Sequence, residues 1–188
     1  FMKTDPRFMP YKTPEEVLNA FRAIKQKVEP HLKDFISLRP KGKFVIRQTE
    51  TFRTASASVE YYPGTPDGSR PGVLYIPIVD AAKYNDLMNE DLFLHEAIPG
   101  HHIQISLQSE NKNLPEFRQF GWYGAYGEGW ALYCESMGKK LGCYTDPYQY
   151  MGYLEDDMHR AIRLVVDVGM HTKGMTREQA IQYSMDNE

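Results

Sequence analysis

Leu94-His95-Glu96-Ala97-Ile98-Pro99-Gly100-His101-His102 is the stretch whose reading decides what this chain builds. Its nearest simple pattern is H-E-x-x-H, in which two histidines one helical turn apart bind zinc and the glutamate beside the first acts as general base. Here His95 and His101 are six residues apart, and an unbroken helix would set them about 240° apart, on different faces. Pro99 has no amide hydrogen for the carbonyl of His95, and Gly100 tolerates the backbone of a bulge. With Pro99-Gly100 looped out, His101 takes the place of the second histidine. His102 is the rival ligand: it shares the face of His95 but sits about 10.5 Å further along an ideal helix, which is awkward for two imidazoles on one ion.

A catalytic zinc usually takes three protein ligands and keeps one position for water, so a third His, Asp or Glu is expected downstream. Gly127-Glu128-Gly129-Trp130-Ala131-Leu132-Tyr133-Cys134-Glu135 supplies two candidates seven residues apart on one helical face. Glu128 is the preferred ligand, and Glu135 is then the carboxylate that hydrogen-bonds a ligating histidine and fixes its tautomer. Taken alone, both are ordinary solvated helix charges. Arg163, Asp167 and His171 follow at i, i+4 and i+8 in a mostly apolar segment. This ladder is either an exposed ion-pair stripe or one wall of a site, where Arg163 could bind a carboxylate and His171 a developing oxyanion.

Working outward, Thr13-Pro14-Glu15-Glu16 combines an N-cap, a proline at the first helical position and a capping-box glutamate. Val17, Leu18, Phe21, Ile24 and Val28 follow at helical spacing, predicting a helix over about 14–29, with Pro30 breaking it. Residues 43–62 are rich in β-branched and aromatic side chains, and Val73-Leu74-Tyr75-Ile76 follows the turn-forming Pro63-Gly64-Thr65-Pro66-Asp67-Gly68. Beyond Asp80 the pattern is helical, over about 84–109 with a break, 121–141, 147–171, and from Thr176. The fold class expected is α+β, predominantly α-helical, with a small antiparallel sheet of two or three strands. One domain is expected over 1–188: a helical lead-in (1–42), the small sheet (43–80) and the metal-binding helices (81–188). Tyr61, Tyr62 and Tyr75 on the strands are packing residues or substrate contacts, Tyr75 being the candidate carried forward.

At 188 residues and 41% apolar composition, the chain supports one ordinary core. A net charge of −3, from 22 basic and 25 acidic side chains, leaves no electrostatic footprint for nucleic acid or an anionic membrane. No apolar run reaches the roughly 18 residues of a membrane span. Two cysteines, Cys134 and Cys143, make neither a disulfide framework nor a metal-ligand pair.

Taken together, the Asp67-Gly68-Ser69-Arg70-Pro71-Gly72 turn, the His95–His102 run, Glu128-Gly129-Trp130-Ala131-Leu132-Tyr133 with Glu135, and Arg163-Leu164-Val165-Val166-Asp167 with Gly169 and His171 resemble a bacterial family catalogued as domain of unknown function 885. That family looks like a distant branch of the helical zinc peptidases, and many of its members are exported proteins or lipoproteins by prediction. The resemblance implies a zincin-like helical core in which His95, His101 and Glu128 hold one zinc ion and Glu96 is the base. It also implies that this chain is a piece of a longer protein, because full members carry a large N-terminal helical region. The two-residue insertion between the histidines departs from the peptidase pattern. The expected function is zinc-dependent hydrolysis of peptide bonds, with a peptide as partner and an exported location. The alternative is a catalytically silent metal- or peptide-binding domain. A carboxylate-bridged di-iron centre would want two Glu-x-x-His pairs, and only Asp156-Asp157-Met158-His159 comes near that spacing.

Overall fold

Thr13 opens the first helix, α1 (Pro14–Val28), through a complete capping box: its hydroxyl accepts from the amide of Glu16 and the Glu16 carboxylate accepts from the amide of Thr13. The computed structural model describes residues 1–187. The apolar stripe Val17, Leu18, Phe21, Ile24 and Val28 is buried along its length. At Pro30 the chain tightens into a 3-10 turn, Glu29–His31, and then a single turn, α2 (Leu32–Phe35).

Three strands follow: β1 (Phe44–Gln48), β2 (Glu60–Tyr62) and β3 (Gly72–Ile76), in the order β1-β3-β2. β2 and β3 run antiparallel with Tyr61 opposite Leu74, but β1 and β3 are parallel, Phe44 opposite Gly72. The sheet is therefore mixed rather than wholly antiparallel. After β1 the chain crosses to the far side of β3 to lay down β2, so the return into β3 brings that strand beside β1 in the same direction. β3 lies in the middle, and its Leu74 and Ile76 are fully buried.

The helices of the second half are α3 (Asn89–Glu96), α4 (His101–Glu110), the short α5 (Glu116–Gln119), α6 (Gly124–Ser136), α7 (Pro147–Thr172) and α8 (Arg177–Asn187). Asp146 caps α7 by accepting from the amide of Tyr148. Thr176 and Gln179 exchange two such bonds ahead of α8. The main core lies between α1, the sheet and α3, where Phe21, Phe93, Leu94 and Leu74 are fully buried. A second, smaller cluster joins α7 to α8 through Ile162, Val166 and Ala180. Cys134 and Cys143 are unbonded thiols, both buried. Among the described residues no helix is long and apolar enough to cross a membrane.

Candidate metal centre

The His95–His102 stretch is two helices and a break. α3 stops at Glu96, the Ile98–Pro99 peptide is cis, and α4 starts at His101. The amide of His102 closes the gap by donating to Ala97 O at 3.1 Å. Gly100 packs so tightly on the end of α3 that a Cβ there would lie 1.8 Å from His95 O and 2.4 Å from Leu94 O. From α6, Trp130 Nε1 donates to Pro99 O at 3.0 Å, tying the helix that carries Glu128 and Glu135 to the break.

This arrangement turns two imidazoles toward each other. The rings of His95 and His101 are 4.7 Å apart and nearly perpendicular. Glu128 Oε2 lies 3.2 Å from His95 Nε2 and 3.7 Å from His101 Nε2. Ligands at 2.0–2.1 Å from a tetrahedral zinc stand roughly 3.3 Å apart, so these separations fit a single ion. His95, Glu96 and His101 also bring one donor atom each within 4.8 Å of one another, making a candidate His/Glu metal site. The Glu96 carboxylate is the outer member, with Oε1 4.0 Å from His95 Nε2. On His101 it is Nε2 that faces Glu128, while the buried Nδ1 has no hydrogen-bond partner.

Behind His95 stands a buried charge network. Glu135, 1% exposed, places Oε1 2.5 Å from His95 Nδ1. With Nδ1 committed there, Nε2 is the His95 nitrogen that faces Glu128 and His101. Arg160 from α7 donates to Glu135 and is itself paired with Asp156. Asp91, fully buried on α3, accepts from the Tyr144 hydroxyl at 3.0 Å. Burial, with Glu135 and Asp156 nearby, pushes the Asp91 carboxyl well above the ordinary carboxylate range. Asp91, Glu135 and Asp156 also approach metal-ligand spacing, but the Arg160 guanidinium already supplies the positive charge there.

Burial disfavours a charged His95, yet Glu135 and Glu96 outweigh it and raise its proton affinity above the ordinary value. Burial and the neighbouring His95 lower that of His101. Glu96 is held from the sheet: the amide of Tyr61, on β2, donates to its Oε2 at 2.9 Å. Burial pushes its carboxyl up to about 7, against the opposing pull of His95. His102 is turned to other work. Its Nδ1 meets the Tyr61 hydroxyl at 2.8 Å, its ring packs on Phe44, and burial lowers its pKa to about 4.

The structure thus brings His95, Glu96, His101, Glu128 and Glu135 together. It does not bring Arg163, Asp167 and His171 to them. All three are exposed on α7, with Asp167 and His171 only loosely paired at 4.0 Å. The buried face of that helical stretch is Ile162, Val166 and Gly169, against α8, which puts the ladder about 100° round the helix from it. Tyr75, half-buried on the central strand, packs against Tyr62 and under Arg53. Sequence reasoning passed over Arg160, Asp91 and Tyr144. The one available signal was the i, i+4 pair Asp156–Arg160, which resembles any surface ion pair until α3 is packed against it.

A family model described as a bacterial protein of unknown function (DUF885) matches residues 1–188. A solved structure described as "the putative lipoprotein from Colwellia psychrerythraea" is similar with a TM-score of 0.91 and 34% identity, over 99% of this chain and 33% of that one. The chain therefore spans about a third of the length of that relative. Comparison with curated proteins finds no match.

Proposed function

The chain belongs to the DUF885 family of bacterial proteins, and we propose that it is the metal-binding core of a zinc-dependent peptide hydrolase. The observation that carries this reading is the approach of one Glu128 oxygen to the Nε2 atoms of both His95 and His101, with the Glu96 carboxylate beside them. Two imidazoles and one carboxylate are the donor set of catalytic zinc sites that keep a position open for water. When bound, the ion supplies Lewis-acid polarisation of the scissile carbonyl and acidifies the attacking water.

The chain's own residues do the rest. Glu96 accepts the water proton and hands it to the leaving amine, which requires a carboxylate held near the cluster but free to change its protonation state. The Tyr61 amide anchors one Glu96 oxygen and leaves the other toward His95. Glu135, backed by Arg160, keeps His95 in the tautomer that presents Nε2. β2 is an edge strand, unlike the central β3, and is the one beside Glu96. An extended peptide would lie beside this strand, whose Tyr61 amide is already given to Glu96. Arg163 and His171 take no part in this reading. Likeness to a protein described as a lipoprotein supports an exported location.

The test is a comparison of the zinc-loaded chain with Glu96→Gln on a library of quenched peptides, with metal measured by mass spectrometry. Cleavage by the parent chain, lost in a variant that still holds zinc, is the expected result. Zinc without products in either chain would make this a silent binding domain, and undiminished cleavage by Glu96→Gln would remove the role given to that residue.

A further inference from the structure

A cavity of about 480 Å³ opens directly onto Glu96, His101 and Glu128, a size within the range of small-ligand pockets. It runs down one face of α4, because Ile105, Gln108 and Ser109 follow His101 at four, seven and eight positions. On an α-helix this carries the cavity about 10.5 Å from His101 to Gln108. Aromatic surface lines it as well: Tyr61 from β2, and Phe120 and Trp122 from the segment ahead of α6. The Trp122 ring lies 5.5 Å from that of His101, so the cavity is continuous with the metal cluster.

Gln108 and Ser109 have spent their side-chain hydrogens on the main chain, and Gln119 one of its two. Gln108 donates from Nε2 to both Arg118 O and Gly121 O, each at 2.8 Å. Gln119 Nε2 donates to Leu114 O at 2.6 Å, and Ser109 Oγ to Ser106 O at 3.0 Å. What they have left to offer a guest is mainly oxygen lone pairs, beside the second Gln119 amide hydrogen and the Trp122 indole N–H. Among the described residues no Lys or Arg lines the cavity, so a carboxylate entering it would find no cationic partner. A buried cation fares little better. Glu60 is already paired with Arg53, and Glu96 and Glu128 belong to the metal cluster, which leaves no free counter-charge for it.

We propose that this cavity is the side-chain subsite of the hydrolase and takes a large aromatic residue with a neutral hydrogen-bond donor at its tip, tyrosine first, while rejecting acidic residues. This rests on the metallopeptidase reading above. The ring stacks among Tyr61, Phe120 and Trp122, and the hydroxyl donates to an acceptor at the Gln108 end. A site that offers acceptors to a hydroxyl discriminates against a ring that cannot donate.

The test is calorimetry on the zinc-loaded chain with N-acetyl hydroxamates of alanine, phenylalanine, O-methyltyrosine, tyrosine, arginine and glutamate. The hydroxamate takes the metal and the side chain samples the cavity. The tyrosine compound is expected to bind about 10-fold or more tighter than the alanine compound and several-fold tighter than the O-methyl ether, with glutamate weakest. Phe120→Ala should lower the tyrosine-to-alanine ratio by about 3-fold. Hydroxamates that all bind equally would overturn the subsite and leave the metal centre standing. Arginine as the best ligand would overturn the neutral-donor assignment. A chain that takes up no zinc, or whose zinc does not bind the alanine compound, overturns the underlying reading and the subsite with it.

Discussion

Arg160 Nη1 lies 2.9 Å from Glu135 Oε1, the same oxygen that lies 2.5 Å from His95 Nδ1. One carboxylate oxygen thus serves a guanidinium and an imidazole, and α7 is coupled to a proposed metal ligand on α3. Arg160→Gln is expected to weaken zinc binding about 10-fold, as losses of partners to ligating histidines generally do. Arg160→Lys, which keeps the charge but not the planar fork, should recover part of it. Competition against a chelator of known affinity reads the effect, alongside melting of the zinc-free proteins to separate it from a general loss of stability. Unchanged zinc affinity in Arg160→Gln would reduce the pair to packing.

The ligands themselves should behave differently from this support. His101→Ala and Glu128→Ala are expected to lose near-stoichiometric zinc after dialysis, whereas His102→Gln should retain it, because His102 faces Tyr61 and Phe44 rather than the cluster. Mass spectrometry of the dialysed proteins decides it. Zinc lost from the His102 variant and kept by the His101 variant would exchange their assignments.

Gly100 is the position where the break tolerates least change. The Cβ of an alanine would lie 1.8 Å from a main-chain oxygen, and main chain cannot swing aside as a flexible side chain can. Gly100→Ala is expected to cost at least about 2 kcal/mol and to lower zinc affinity with it, since His101 follows directly. Urea unfolding of the two proteins, with and without zinc, measures both; a loss under about 0.5 kcal/mol would show that the two helices reseat easily.

Asp86 gives a pH-dependent contribution. Burial, opposed by a backbone hydrogen bond and helped a little by Asp146, pushes its carboxyl up to about 6 from the ordinary 3.8. Folding therefore favours its protonated form. The resulting stability is fully present below about pH 4, is lost as pH rises through about 6, and stays lost above that. Asp86→Asn should accordingly match the parent at pH 4 and exceed it at pH 7. Because the group is half-exposed, solvent screening limits the gain to about 1 kcal/mol. Denaturant midpoints at the two pH values test the sign.

Much of the fold was legible because its punctuation is local. Thr13 with Glu16 and Thr176 with Gln179 each announce a helix start within four residues. The Pro99-Gly100 break likewise identified His101 as the partner of His95 to be sought. Sheet direction was not legible, since whether β2 lies beside β1 or beyond β3 is decided by packing outside the strands. On α7, residue pattern alone favoured the Arg163 ladder over Arg160. The helix leaves Met158, Leu164, Val165 and Val168 exposed, which blurs the apolar stripe that would have identified its buried side.

The two thiols can serve as internal timers. Cys134 and Cys143 are essentially inaccessible, and burial pushes both away from the reactive thiolate form, Cys143 to about 12. A disulfide reagent can therefore modify them only when the surrounding structure opens. Cys134 precedes Glu135 on α6, so its labelling half-time reports how often the support behind His95 comes apart, while Cys143 reports on the turn that leads into α7. If zinc joins α3, α4 and α6, it should slow the first clock more than the second.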